Sequence, residues 1–424
     1  MADTQVTDSK STEDSKVPKE VTIRLCNLDC DLDVKATLEE NVDTAHPPYL
    51  RRVDTTPIHS PKQAPQPRET HVILSTGSGH QKAVEFYEQA VSSLISRTYP
   101  DSASSPITLH TTQSETSILE LARDVFFPAA NAGRLLRLIL LSGDGGIVDL
   151  VNSLASPPRS ASYLCPQVVL LPLGTANALF HSINASAENP WGLAALASST
   201  SKPLPTLTAT FSPGSRLLVD EARSSIPLPG GNVLHSAVVV SWGMHASLVA
   251  DSDSAAYRKF GIERFKMAAK EALYPADGAL PHAYSGRVKV LDTDGRWSDV
   301  GEGKHLYTLA TLVSNLEKPF TISPASRPLD GSLHIVHFGP TTGDEAMRIM
   351  GLAYQGGKHV EDESVTYEKV EGVRIEMGEA EERWRRVCVD GKIVVVEEGG
   401  WVEVRKGEGE VIEVVIVEDE DESS

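Results

Sequence analysis

Three glycine-rich stretches, each preceded by an apolar run, hold the residues best suited to chemistry. Leu138–Asn152 reads Leu-Ile-Leu-Leu-Ser-Gly-Asp-Gly-Gly-Ile-Val-Asp-Leu-Val-Asn. Glycines in such a turn let the backbone approach a polyanion closely, and the amides at the start of the following helix point toward it. Ser142, Gly143, Gly145 and Gly146 are therefore candidate phosphate contacts, with Asp144 at the lip of the cradle. A second stretch, Val168–Leu179, contains Gly174, Thr175 and Asn177, the last two able to donate to phosphate or nucleobase groups. In the third, Val72–Ala83, the candidates are Ser75, Gly77, Ser78 and Gly79. Any one of these alone reads equally well as a plain strand-to-helix turn, and the argument for a site is their convergence.

Convergence follows from the elements that must carry them. Between His71 and about Ser201 the order strand, Gly-rich turn, helix repeats, with apolar residues at three- and four-residue spacing in Ala83–Ser96 and Ile118–Phe127. That alternation implies parallel βαβ units. Parallel strands place their carboxyl ends on one edge of the sheet, so the three loops meet in one crevice, the usual ligand site of an open α/β sheet. Beyond about Lys202 the texture changes to short β-branched runs separated by Gly, Pro and Asp turns. These are Leu207–Phe211, Leu234–Trp242, Arg287–Leu291, His305–Val313, Ser332–His337, Val373–Met377, Val387–Val396 and Val411–Val417, interrupted by one expected helix over Ser254–Leu273. Closely spaced strands of this kind predict an antiparallel sandwich or barrel.

Composition narrows the partners. Asp and Glu outnumber Lys and Arg by 58 to 39 in 424 residues, a formal charge of -19, so nucleic acid is a poor candidate. Cys26, Cys30, Cys165 and Cys388 lack the paired spacing of a zinc site, and no secretory signal or apolar run long enough to span a bilayer is present. The expectation is a cytoplasmic protein that meets intracellular membranes peripherally. None of the loops fits Gly-x-x-x-x-Gly-Lys-[Ser/Thr] or a complete Gly-x-Gly-x-x-Gly, which counts against the ordinary nucleotide-binding folds.

As a set, the motifs resemble the catalytic domain shared by diacylglycerol and sphingosine kinases, a lipid kinase superfamily related to NAD kinases. The resemblance rests on Gly143-Asp144-Gly145 with Asn152 eight residues after Asp144, on Pro172–Leu179, and on Val389-Asp390-Gly391. It covers most of residues 71–417. Ser241-Trp242-Gly243, Ala250–Asp253 and Tyr257–Phe265 are similar to the sphingosine kinase branch in particular. The resemblance implies that ATP with Mg2+ is held by the glycine loops together with Asp390 and Gly391, and that Asp144 is the base on a lipid hydroxyl. It further implies that Asp251 recognises the substrate amine or hydroxyl and that Arg258 and Arg264 face the transferred phosphate; Asp253 is an alternative to Asp251. Phosphoryl transfer fits such a set, since it needs positioning, charge neutralisation and one group to accept the hydroxyl proton.

The expected architecture is α/β, an N-terminal parallel-sheet nucleotide-binding domain followed by a β-rich, sandwich-like domain. A disordered tail and linker (1–70) would precede an ATP-binding domain (71–201), a lipid-binding domain (202–417) and an acidic tail (418–424). The expected activity is phosphorylation of the primary hydroxyl of a sphingoid base. The alternatives are a diacylglycerol or other lipid kinase, an NAD kinase-like enzyme, and a pseudokinase without turnover. Ala176 stands where the family often has Gly, Ser75-Thr76 where Asn-Pro is common, and Lys392 where Glu usually follows Asp-Gly, which bears on nucleotide or metal coordination. The metal ligands are left unassigned. Asp29, Asp31, Asp33 and Glu40 mimic a calcium loop, but Val34 occupies the required glycine position.

Overall fold

The computed structural model describes residues 20–27, 32–41, 46–57, 68–98, 107–185 and 189–417. The expected tails before residue 20 and after 417 lie outside them, as do Asp29 and Asp31. The strand Leu136–Ser142 is buried at every position, which requires cover on both faces of its sheet. Alternate residues supply the two faces. Leu138 and Leu140 enter a core with the helix Asp144–Ala155, while Ile139 and Leu141 enter a second core with Phe86, Val91 and Leu94. The sheet runs Thr108–Thr111, Glu69–Leu74, Leu136–Ser142, Gln167–Pro172, Glu413–Val415, Ser201–Pro203. All neighbours are parallel except the last pair.

Register decides where the loops go. Leu74 pairs with Leu141, and Ser142 with Pro172, so the three strands end level and release their glycine turns at one edge. From Glu69–Leu74 the chain passes outward to Thr108–Thr111 on one side and then crosses back to Leu136–Ser142 on the other, from which it continues outward to Gln167–Pro172, the reversal of strand order that opens a crevice at a sheet's carboxyl edge.

Two antiparallel sheets make up the other half. The larger has eight strands, centred on Arg386–Val389 and Val239–Gly243; the second is centred on Trp401–Lys406 and Gly372–Met377. Both contribute to one core around the fully buried Trp242, whose ring lies so close to Gly286 that a Cβ there would sit 2.8 Å away.

Four sequence expectations change. Leu234–Trp242 is two strands, Val233–Ser236 and Val239–Gly243, in different sheets. The expected helix over 254–273 is broken into Ala255–Arg258 and Glu263–Leu273, with Met244–Ser252 before them. Gly261, at φ +55°, lies in the break. Val411–Val417 leaves the sandwich and pairs in parallel with Gln167–Pro172. Finally, part of the expected tail and linker is ordered as a three-stranded antiparallel sheet of Glu20–Asn27, Leu32–Glu39 and Tyr49–Pro57. The reason is alternation: Val34, Ala36 and Leu38 point one way and are buried against the parallel sheet's second core.

Candidate active site

The glycine loops touch one another. A Cβ on Gly174 would lie 2.5 Å from the Gly143 Cα, and one on Gly79, at φ +48°, would lie 2.4 Å from the Leu173 carbonyl oxygen. Serine hydroxyls complete the contact, with Ser75 Oγ 2.7 Å from Ser78 Oγ and Ser78 Oγ 3.1 Å from Ser142 Oγ. Gly77 and Gly145, by contrast, have open space above the Cα, which is where a polyanion can approach the backbone. Gly146 serves packing instead, since a Cβ there would meet Ser142 Oγ at 2.6 Å. Asn177 has a local task as well. At φ +53° it closes its own turn, accepting from the Gly174 amide at 2.8 Å and donating to the Gly174 carbonyl at 3.1 Å. Thr175 is partly exposed in the same loop.

Asp144 opens the helix Asp144–Ala155, and its carboxylate bridges two of the loops. Oδ2 accepts from the Ala178 amide at 2.8 Å and Oδ1 from the Leu179 amide at 3.1 Å, the first amides of the helix Ala178–Ile183. Burial pushes its pKa above the ordinary carboxylate value, and the amide hydrogen bonds pull it back only in part. A carboxylate held in one place with raised basicity suits a general base.

A second acid faces it from the sandwich. Asp390, at φ +47° in the turn between Arg386–Val389 and Lys392–Val395, takes hydrogen bonds from the Ser236 hydroxyl at 2.7 Å, the Ala237 amide at 2.6 Å, the Val238 amide at 3.2 Å and the Val239 amide at 2.5 Å. Burial pushes its pKa up to about 6, these donors oppose the rise, and the Asp144 charge adds to it. With its acceptor sites taken by the protein, Asp390 acts here as a clamp on the 236–239 turn. Gly391 follows at φ +88°. Lys392 Nζ donates to Asp149 Oδ1 at 2.7 Å, so the lysine does not stand as a lone cation.

The expected substrate residues divide into two groups. Asp253 is paired with Arg258 at 3.0 Å and lies 3.7 Å from Arg264, while Arg258 also reaches Glu115 at 3.5 Å. Asp251 joins neither arginine. It pairs with Arg386 at 2.8 Å and lies 3.7 Å from Arg383.

The family model described as Diacylglycerol kinase catalytic domain matches residues 69–209, which contain all three glycine loops and Asp144. The chain is a lipid kinase with a diacylglycerol kinase catalytic domain. Sphingosine kinase 1 of Homo sapiens is 26% identical to the kinase over 360 residues, covering 78% of this chain and 88% of that protein. The Mus musculus protein of the same name is 24% identical over 330 residues, covering 72% and 81%. Among solved structures, a putative diacylglycerol kinase from Bacillus anthracis str. Sterne superposes with a TM-score of 0.54 at 15% identity. That match covers 82% of the kinase and 97% of the other chain and shows a shared fold.

Sequence reasoning passed over several residues that shape this crevice in the kinase. Asp149 and Glu115 were not singled out, because nothing local marks their partners Lys392 and Arg258. Arg383 and Arg386, which engage Asp251, come from a segment with no motif. Asn152 was noted only for its spacing. Its side chain brackets one peptide of the sandwich, accepting from the His235 amide at 2.9 Å and donating to the His235 carbonyl at 2.8 Å.

Proposed function

We propose that the kinase transfers the γ-phosphoryl group of ATP to the primary hydroxyl of a sphingoid base, with Asp144 as the proton acceptor. The observation that carries this reading is the level meeting of three glycine loops around Asp144, with open space over Gly77 and Gly145. In the step, the hydroxyl proton passes to an Asp144 carboxylate oxygen as the hydroxyl oxygen bonds to the γ-phosphorus. The bond to the β-bridging oxygen breaks and its electron pair leaves with ADP. Backbone amides around Gly77, Ser78 and Gly145 orient the phosphates, and Thr175 lies beside them. Arg258 and Arg264, held together by Asp253, offer positive charge to the transferred group.

Magnesium bound with the nucleotide would neutralise phosphate charge. In kinases this ion takes one or two carboxylates and otherwise phosphate and water oxygens. Among the described residues no group of three or more His, Cys, Asp or Glu could hold a metal ion by itself. Asp144 retains acceptor capacity for such a role, whereas Asp390 is filled by protein donors.

Support for a sphingoid base comes from the curated relatives, named for sphingosine and matched over most of their length. A carboxylate near the acceptor pairs with an ammonium beside the hydroxyl, and a neutral lipid would leave it unmatched. Asp251, held by Arg386 and Arg383, and Asp253, held by Arg258 and Arg264, are engaged alike, and both remain candidates for that contact. Peripheral membrane contact belongs to the same reading; among the described residues no helix is long and apolar enough to cross a membrane. Purified kinase with labelled ATP should phosphorylate sphingosine and dihydrosphingosine in mixed micelles in preference to diacylglycerol, ceramide and NAD. Loss of the carboxylate that meets the ammonium should narrow the preference for sphingosine, so Asp251→Ala, Asp253→Ala and the double variant are compared, and a preference that survives loss of both removes that contact. Equal use of sphingosine and diacylglycerol by the wild type would move the assignment to the diacylglycerol kinases, and absence of transfer to any acceptor would leave a nucleotide- or lipid-binding protein.

A further inference from the structure

The helix that begins with Asp144 has three polar residues turned toward the sandwich. At 100° per residue, positions 144, 149 and 152 fall within one arc of about 140° on the helix surface. Each meets the same neighbourhood. Asp144 lies near enough to Asp390 for its charge to raise the pKa of that acid. Asp149 receives Lys392 Nζ at 2.7 Å across 243 residues of chain. Asn152 brackets the His235 peptide, one residue before the Ser236 that donates to Asp390. Asp149 is only 8% exposed, so this pair is not a surface ion pair of the kind that contributes little. Lys392 is the first residue after the Asp390-Gly391 turn, which places its anchor two residues from the acid that confronts Asp144.

We propose that Asp149 and Lys392 are positioning residues for the reaction: their ion pair fastens the helix that presents Asp144 to the hairpin that presents Asp390, fixing the approach of the two carboxylates. The proposal rests on Asp144 being the proton acceptor. It also accounts for a lysine after the Asp-Gly turn. A glutamate at 392 would confront the buried Asp149 with a like charge, so Lys392→Glu is expected to lower activity. Burial pushes the Asp149 pKa up, Lys392 opposes the rise, and Glu115 adds to it.

Removing one charge of a buried pair destabilises a protein for reasons unconnected with catalysis, so the informative variant removes both. The experiment compares melting temperature, kcat, and KM for ATP and for lipid in wild type, Lys392→Met, Lys392→Arg and the double variant Asp149→Asn with Lys392→Met. Lys392→Met is expected to lose both stability and turnover. The double variant should recover most of the melting temperature yet remain about 10–100-fold slower in kcat, the range for a small misplacement of a catalytic group, with KM for ATP little changed. Lys392→Arg, which keeps the pair, should retain most of the turnover. A double variant with wild-type kcat overturns the proposal, because the loss in Lys392→Met would then be that of an unpaired buried charge. Should the double variant not fold, hydrogen exchange of residues 144–155 in Lys392→Gln decides: faster exchange there, with lowered kcat, supports the clamp, and unchanged exchange overturns it. Asp144→Asn is measured alongside. Unchanged kcat in Asp144→Asn would remove the base assignment itself, whereas a strongly slowed Asp144→Asn beside a fully active double variant would remove only the clamp.

Discussion

Asp144 and Asp390 are the same residue type on opposite halves of one crevice, and their donors give them different work. Asp144 receives two amides from a neighbouring loop and keeps lone pairs to spare. Asp390 receives a hydroxyl and three consecutive amides, which occupy it fully and fix the 236–239 turn. Burial raises both pKa values, so electrostatics alone would nominate either as a base. What separates them is unused acceptor capacity at the edge where the glycine loops meet.

The strongest test of that contrast is turnover. Asp144→Asn is expected to lower kcat by about 10²–10⁴-fold, the usual worth of a positioned base, with ATP binding largely kept; unchanged kcat would take Asp144 out of the mechanism. Gly174→Ala comes next, because its Cβ would meet the Gly143 backbone at 2.5 Å and neither loop can give way cheaply. A loss of about 1–3 kcal/mol in unfolding free energy, typical of overpacking, should accompany weakened ATP affinity, and denaturant titration with nucleotide binding checks both. Asp390→Asn should act on stability of the sandwich side before chemistry. An amide nitrogen would point at backbone donors and leave some unmatched, a cost of about 1–3 kcal/mol, read by the denaturation midpoint.

The smallest effect concerns pH. The folded-state pKa of Asp390 lies above its ordinary value, so the folded protein holds this proton where the unfolded chain releases it. Its contribution to stability is full below the ordinary carboxylate range and is lost as pH rises through about 6. The difference in melting temperature between wild type and Asp390→Asn should therefore change between about pH 4 and pH 6 and level off above it, and a difference independent of pH would refute the assignment.

The glycine loops were legible because strand, turn and helix are contiguous in sequence, and parallel pairing then forces the loop ends together. Asp144 was legible for the same reason. The sandwich-side residues were not, since their meaning depends on partners. Lys392 looked like a defect until Asp149 was found beside it. Asp251 and Asp253 differ by two positions, but the helix Met244–Ser252 ends between them, and one pairs with Arg386 while the other pairs with Arg258. The three-stranded sheet before residue 58 was signalled by the alternation of Leu32–Glu39, and the prolines that follow obscured it. A continuous β-branched run over 234–242 gave no sign of the change of sheet that Asp390 secures at 236–239.

The return of Glu413–Val415 to the parallel sheet bears on how the molecule is made. The strand beside Gln167–Pro172 is synthesised some 240 residues after its neighbour, so that edge of the sheet stays bare while the whole sandwich emerges. Bare strand edges invite pairing with other chains. A nascent or truncated kinase ending before residue 411 would carry all three glycine loops and Asp144 and still be prone to aggregate. The last strand is thus the closing step of assembly for a catalytic half whose motifs were complete by residue 180.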